Sequence, residues 1–155
     1  MQKLLITFGT RPLAQRLSKM LNQQLEVLFA TSEEVPSFLE ANFKKIPTAA
    51  NPTFAHELLK LCLDKEVNYL LPLGLNEINI LAESKVLFEE YGIQLLAPDK
   101  DTLAELFVLE NPPSAVELVL VHEGKSLNSD RQLDMEVSGL FTISDEGDDI
   151  ALCTI

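Results

Sequence analysis

The first hundred residues alternate between strand-like and helix-like segments, and this alternation limits the folds open to the chain. The run LLITF at residues 4–8 is continuously apolar, which is typical of a parallel strand covered on both faces. PLAQRLSKML follows it, with apolar residues at helical spacing and Pro12 at the first helical position. Strand–helix–strand order with short connections favours an α/β fold with a doubly wound parallel sheet. We expect five strands in the Rossmann-like order 3-2-1-4-5.

The other segments of this part fit the same scheme. Asn51-Pro52 has the chemistry of a helix start, and one long helix is predicted from about Asn76 to Tyr91, with Gly92 after its end. The remaining strands are predicted at four places, which are EVLFA (26–30), the residues around Ile46, NYLLPL (68–73) and IQLLA (93–97).

Past Asn111-Pro112-Pro113 the pattern changes to strands separated by turns. VELVLV, GLFTIS and DIALCTI read as strands, and the last two predict an antiparallel hairpin. No helix is predicted between them, so this part cannot continue the parallel sheet. We therefore divide the chain into an α/β domain at 1–110 and a C-terminal antiparallel β extension at 111–155. This acidic hairpin extension packs on the same domain or on a partner.

Charge separates the same two parts of the chain. The formal net charge is −12; residues 1–100 carry 10 basic and 12 acidic side chains, and residues 101–155 carry 2 and 12. So acidic a chain is a poor ligand for nucleic acid, where binding depends on Lys and Arg against phosphates. An anionic membrane surface is disfavoured for the same reason.

Compartment and thiol chemistry follow from two further features. The N-terminal apolar run of about five residues is shorter than the apolar core of an export signal, roughly 7–15 residues, and no stretch approaches the ~18 residues of a membrane span. Cys62 and Cys153 lie far apart in apolar surroundings, which favours reduced core thiols over a disulfide. We expect a cytoplasmic protein.

Two loops are candidates for a binding site. In open parallel sheets, ligands bind at the carboxyl ends of the strands where the strand order reverses, here between the first and fourth strands. Both loops at that point lead into helix N-termini, whose free N–H groups favour an anion. We predict that a small anionic molecule binds at Gly9, Thr10, Arg11, Gly74, Asn76 and Glu77.

Each loop also has a purely structural interpretation. Gly9 would then only allow a tight turn, Thr10 would cap a helix and Arg11 would be solvated. Glu77 would be a first-turn acid favoured by the helix dipole. These alternatives stay open at the level of sequence.

Other chemistry is weakly supported. The first loop carries one glycine, so the dinucleotide fingerprint is absent, as is the phosphate-binding P-loop. His56 and His122 are far apart, and nothing orders them into a catalytic set. The acidic turn could attract calcium but lacks the spacing of a calcium loop, which favours a solvated hairpin turn; it contains Asp145, Glu146, Asp148 and Asp149.

The segments up to about Phe107 resemble a known family. KLLITFGTRPLAQRL, VLFATSEEVPSFLEANFKKIP and VNYLLPLGLNEINILAESKVLFEEYGIQLLAP are similar to the pre-ATP-grasp domain of carbamoyl-phosphate-synthetase-like and carboxylate–amine ligases. The resemblance implies a domain that helps form the acceptor-substrate site, while the following ATP-grasp domains hold ATP and magnesium and make an acyl-phosphate. The glycine loop of the family matches Gly9, Thr10 and Arg11, and its substrate-contacting acid matches Glu77, with Asn76 beside it.

The departures from the family decide the functional expectation. Leu75 stands where the family often has an acid, and Leu106 to Glu110 replaces the helix that enters the ATP-grasp domain. The phosphate-binding lysines and the magnesium-holding residues of that domain have no counterpart. We expect a domain that is not an enzyme alone and has no cofactor of its own, with ATP and magnesium reaching it only through a partner. It would bind its anionic ligand or serve a separate ATP-grasp protein, or else be a structural protein that homodimerises through its C-terminal strands.

Overall fold

The first sheet confirms the predicted parallel order. A computed structural model of the chain describes residues 1–144 and 149–155. All pairs within this sheet are parallel, and the strands lie in the order β3-β2-β1-β4-β5. Since β1 and β4 are central neighbours, the strand order reverses between them, as predicted. The strands are β1 (Lys3–Ile6), β2 (Glu26–Thr31), β3 (Phe43–Lys45), β4 (Tyr69–Leu71) and β5 (Gln94–Leu95).

The helices follow the predicted positions with one correction. The long helix expected from Asn76 to Tyr91 is wrong, because the amides of Glu83 and Ser84 donate to carbonyls only three residues back and so end the first helix. A second helix starts after Ser84 and carries Phe88 into the core. None of the described helices is long and apolar enough to cross a membrane. The helices are α1 (Pro12–Leu21), α2 (Phe54–Asp64), α3 (Leu75–Ala82), α4 (Lys85–Glu90) and α5 (Lys100–Glu105), with a 3₁₀ helix at Ser37–Asn42.

The C-terminal part forms a second five-stranded sheet. The predicted hairpin is present, since β9 and β10 pair antiparallel, and β9 also pairs antiparallel with β7. The outer strand β6 pairs parallel with β10, so the sheet is mixed rather than purely antiparallel. The residues 145–148 of the hairpin turn, and with them most of the predicted acidic turn, lie outside the described residues. The strands are β6 (Phe107–Glu110), β7 (Val119–His122), β8 (Lys125–Ser126), β9 (Gly139–Ile143) and β10 (Ile150–Thr154).

Two apolar clusters join the sheets. One contains Phe54 and Phe88 of the helices together with Phe141 and Leu152 of the second sheet. The other contains residues of β1 and α1 together with Leu120 and Cys153. Because each cluster draws on both sheets, burial of apolar surface stabilises the second sheet against the first. A backbone bond from the amide of Ile155 to the carbonyl of Leu73 places the end of β10 beside the end of β4.

Candidate functional site

A cleft of about 480 Å³ lies at the carboxyl ends of the first sheet's strands. Phe8 follows β1, and the segment from Gly74 to Glu77 follows β4, so both loops at the point of strand reversal line it. The opposite side is formed by residues of β6 and of the end of β10. The cleft therefore occupies the position where open α/β sheets bind ligands, and the second sheet closes it.

Glu77 is the buried acid of this cleft. Its side chain is 4 % exposed, and its Oε1 accepts hydrogen bonds from the Thr7 hydroxyl at 2.5 Å and from the Gly74 amide at 3.4 Å. The same Thr7 hydroxyl accepts a bond from the amide of Leu73, so one network joins the ends of β1 and β4. Burial raises the pKa of Glu77 to about 7, against the opposing effect of the bonds from Thr7, Gly74 and Leu73.

The helix position of Glu77 explains part of its burial. Gly74 is the N-cap of α3 and Glu77 is its third helical residue, so the carboxylate reaches back to the cap amide as in half of a capping box. A carboxylate that served only the helix dipole would stay solvated. The Glu77 carboxylate is buried instead. Its described hydrogen bonds are both accepted by Oε1, and the residue also lines the cleft.

Phe8 and Gly74 fit together at the mouth of α3. Phe8 has a φ of 50°, a left-handed conformation that bulky residues rarely adopt. Its ring lies so close to Gly74 that a Cβ added there would be 2.6 Å from the Phe8 Cε2. A larger residue at position 74 would therefore have to displace the ring of Phe8, and that ring forms part of the cleft surface.

The loop after β1 is held in a different way. The Gly9 amide donates to the Ala30 carbonyl at 2.9 Å, and a Cβ at position 9 would be 2.5 Å from the Phe29 Cβ. Arg11 donates from Nε to Glu33 Oε1 at 2.9 Å, and the Thr10 hydroxyl donates to the same oxygen at 3.0 Å. The bond and charge of Arg11 hold the pKa of Glu33 below its usual range. Neither Gly9, Thr10 nor Arg11 is among the described residues that line the cleft.

A larger groove of about 830 Å³ lies beside β2, β3 and the 3₁₀ helix. It takes in Thr10 and Glu33, and Phe29 and Phe43 contribute a tilted aromatic pair with centroids 5.7 Å apart. The groove is large because the 3₁₀ helix packs loosely over it, and no residue of that helix is buried. The smaller cleft has the buried acid, the close-packed glycine and the helix N-terminus, so we regard it as the candidate site.

The charges around the cleft are acidic. Glu110 of β6 lines it together with Glu77, and no lysine or arginine is among the described residues that do so. Polar groups without charge are supplied by Asn76 and Thr154, among others. The predicted arginine therefore lies outside the cleft, and any anionic group bound there would depend on backbone N–H groups and neutral side chains.

The remaining sequence candidates stay separate from the cleft. His56 is exposed, and His122 is hydrogen bonded to Gln94 at 3.1 Å. Cys62 and Cys153 are free thiols, as the prediction of reduced cysteines requires, and burial raises their pKa to about 12 and about 11. Among the described residues, no group of three or more His, Cys, Asp or Glu side chains could hold a metal ion.

Sequence reasoning missed several residues of the site. Thr7 could have been found, because a hydroxyl at the end of a buried apolar strand needs a hydrogen-bond partner. Val108, Glu110 and Thr154 could not, because their place depends on how the second sheet packs against the first.

One family comparison covers the first sheet except Lys3, together with both candidate loops. Residues 4–96 match the family described as the PylC-like N-terminal domain. The match runs from β1 to the residue after β5 and includes Gly9, Gly74 and Glu77. No curated protein matches the chain. Since the match spans more than half of its residues, this chain belongs to the PylC-like N-terminal domain family, the pre-ATP-grasp domains of ATP-grasp ligases.

Proposed function

We propose that this domain is a non-catalytic binding unit that holds a small carboxylate-bearing molecule in the cleft between α3 and the second sheet. The observation that carries the proposal is the cleft itself, which lies at the strand reversal and contains a buried glutamate held by both central strands. In ligases of this kind the corresponding domain contributes to the acceptor site. ATP and magnesium would be held by a separate ATP-grasp protein.

The start of α3 suits a carboxylate. The first bond within the helix runs from the Ile78 amide to the Gly74 carbonyl, so the amides of Leu75 and Asn76 have no acceptor within the helix. Both residues line the cleft, and the Asn76 side chain adds a further donor. A carboxylate at this point would accept these bonds and interact favourably with the helix dipole.

The described residues of the cleft support ligand binding but do not form a catalytic set. Glu77 is the only strongly perturbed carboxyl group among the described residues of the cleft, and its hydrogen bonds serve the framework. Among the described residues that line the cleft, no nucleophile with an adjacent base accompanies Glu77. The two free, buried thiols fit a reducing compartment such as the cytoplasm, where a partner would have ATP.

Matched variants on one helix test the ligand site. Asn76→Asp places a negative charge at the carboxylate position, whereas Asn79→Asp adds the same charge on the exposed side of α3. Asn76 lies in the first turn of α3, where the helix dipole favours an acid, and Asn79 is an exposed residue in the middle of the helix, so neither change is expected to unfold the domain. Calorimetric titration with small amino acids and dicarboxylates should show at least about tenfold weaker binding for Asn76→Asp alone. Equal affinity in both variants, or no binding by the unchanged protein, would contradict the proposal.

The role beside a ligase is tested by reconstitution. An ATP-grasp protein encoded next to this one should hydrolyse ATP faster when both this domain and the bound molecule are present. Asn76→Asp should remove that stimulation, and Asn79→Asp should keep it.

A second candidate function is homodimerisation through the C-terminal strands. The outer strand β6 pairs on one side with β10, and its Phe107 is 74 % exposed. An uncovered edge strand with an exposed aromatic residue is a template for pairing with another chain. Under this candidate, Phe107→Lys would convert a dimer to a monomer in size-exclusion chromatography, with Phe38→Lys as a control at another exposed phenylalanine. A monomeric unchanged protein would remove it.

A further inference from the structure

The outer strand β6 leaves one edge of the second sheet open. It stands at the end of the strand order β6-β10-β9-β7-β8, and β10 is its partner among the described strands. The amide of Asn111, the residue after β6, donates to the Thr154 carbonyl at 2.7 Å. Because successive N–H groups of a strand point to opposite sides, the N–H and C=O groups of Val108 and Glu110 point away from β10. These are the groups that a further strand would bind.

The other described sheet edges are protected. The amide of Ser126 in β8 donates to the Arg131 carbonyl, and Lys125 forms a bridge with Gln132, so a returning segment covers the edge beyond β8. In the first sheet, the outer strands β3 and β5 have three and two residues, and β3 carries two lysines. Short strands and lysines are common ways in which proteins keep sheet edges from pairing. The strand β6 has four residues and contains neither lysine nor proline.

The side chains of β6 offer an apolar face and an acidic one to an added strand. Phe107 and Leu109 alternate along the strand with Val108 and Glu110, so each pair projects from one face of the sheet. Phe107 is 74 % exposed and Val108 is 42 % exposed. Glu110 is exposed, as is Glu105 just before the strand. An added strand would therefore bury apolar surface on one face and meet a carboxylate on the other.

The charges around β6 favour a basic partner. Residues 101–155 contain 12 acidic and 2 basic side chains, and the basic ones are Lys125 and Arg131, at the opposite edge of the sheet. The lysine nearest to β6 in the sequence, Lys100, is paired with Glu83. A second copy of this chain would bring a net charge of −12 and place its own Glu110 in the same short ladder, where like charges are destabilising. A lysine or arginine on the added strand would instead pair with Glu110.

We propose that the open edge of β6 binds an extended segment of another protein that carries lysine or arginine, by strand addition. Apolar residues of that segment pack on Phe107 and Leu109, and a basic residue on the alternate face pairs with Glu110. Val108 and Glu110 also line the cleft, so the docked segment extends the wall of the cleft opposite α3. The partner then lies beside the candidate site, whichever molecule the cleft holds.

A peptide of alternating lysine and valine, about eight residues long, tests the inference by fluorescence anisotropy at physiological ionic strength. One control peptide has the same charge with proline in place of each valine, so that it cannot form a strand. A second control alternates glutamate and valine. The unchanged protein should bind the first peptide about tenfold or more tighter than either control. Equal binding of the proline control would show that charge alone attracts the peptide, and would overturn the inference.

Two substitutions assign the binding to β6. Val108→Pro removes an N–H that points away from β10, so it spares the ladder within the sheet and should weaken peptide binding about tenfold or more. Glu110→Lys reverses the charge and should weaken binding about fivefold or more, and it keeps the test valid if proline disturbs the strand. Glu117→Lys makes the same change at an exposed position outside the sheet and should weaken binding less than about twofold. Binding that survives both changes in β6 would overturn the inference.

Sedimentation of the unchanged protein identifies the occupant of the edge. The protein should be a monomer without peptide. A dimer that Val108→Pro converts to a monomer would overturn the inference, because a second copy would then occupy β6. The peptide experiments contain no ligand for the cleft, so their failure would leave the proposed carboxylate site unaffected.

Discussion

The loops after β1 and β4 look alike in sequence and differ in the folded protein. Each has a glycine, a polar residue and a charged residue, which precede the helix after β1 and lead into its first turn after β4. After β4, the polar groups line a cleft and the acid is buried among hydrogen bonds from both central strands. After β1, the glycine packs on Phe29, and Thr10 and Arg11 bind Glu33 at the end of β2.

The difference shows that a candidate binding residue must also be free to bind. Arg11 has the chemistry to recognise an anion, but Glu33 already occupies its Nε. The first loop therefore attaches β1 to β2, and the second presents a helix start to the cleft. The comparison predicts that changes in the first loop alter stability and changes in the second alter binding.

The largest contrast is expected between the two acids as pH changes. Glu77 keeps its proton in the folded protein up to a pKa of about 7, whereas its unfolded value is near 4.5. Between these values the unfolded state binds fewer protons, so this group lowers the free energy of unfolding as pH rises, by on the order of 3 kcal/mol. Urea unfolding should show that Glu77→Gln loses this decline.

Glu33 is the control for that profile. Because its pKa is lowered in the folded protein, its contribution to stability is present above its unfolded pKa and is lost at acidic pH. Glu33→Gln should therefore change the profile only on the acidic side. A Glu77→Gln curve parallel to that of the unchanged protein would show that Glu77 is not buried as described.

The two glycines sharpen the contrast between stability and binding. Gly9→Ala forces a Cβ against the backbone-attached Cβ of Phe29 and should lower the free energy of unfolding by about 2–3 kcal/mol. Gly74→Ala meets only the ring tip of Phe8, which can turn toward the cleft, so it should cost less than about 1 kcal/mol but weaken ligand binding. Unfolding curves and titrations on both variants check this, and a reversed pattern would break the comparison.

The two threonines give a smaller difference. Thr7→Val removes a donor to Glu77 and an acceptor for the Leu73 amide, both buried, and should cost about 1–2 kcal/mol. Thr10→Val removes a bond at the surface and should cost less than about 0.5 kcal/mol. Chemical denaturation measures both, and equal costs would contradict the account.

The smallest effect is expected at Arg11. Its ion pair with Glu33 is largely exposed, so Arg11→Gln should cost less than about 1 kcal/mol and leave the affinity of the cleft within about twofold. Calorimetric titration of this variant is the check. A large loss of affinity would show that Arg11 leaves Glu33 to bind the ligand.

Much of the first sheet could be predicted because continuous apolar runs mark parallel strands independently of the rest of the chain. The break at Glu83 and Ser84 could not be predicted, since neither residue is a strong helix breaker and the apolar spacing continues to Phe88, which lies in the core. The parallel pairing of β6 could not be predicted from the sequence either, because its partner strand β10 lies more than forty residues further along the chain.

The site was predictable in part for a similar reason. Gly74, Asn76 and Glu77 follow from the rule for strand reversal, which depends on local order alone. The pairing of Arg11 with Glu33 joins two loops, and Glu110 and Thr154 come from another sheet. Contacts of this kind depend on tertiary packing, which one sequence does not display.

Amide chemical shifts during titration with small amino acids and dicarboxylates would test the central claim, binding in the cleft, most directly. The account predicts that the largest changes fall on Leu75, Asn76, Glu110 and Thr154, which line the cleft on opposite sides. The loop from Gly9 to Arg11 should change little. Shifts concentrated at Gly9–Arg11 with none along the cleft would contradict it.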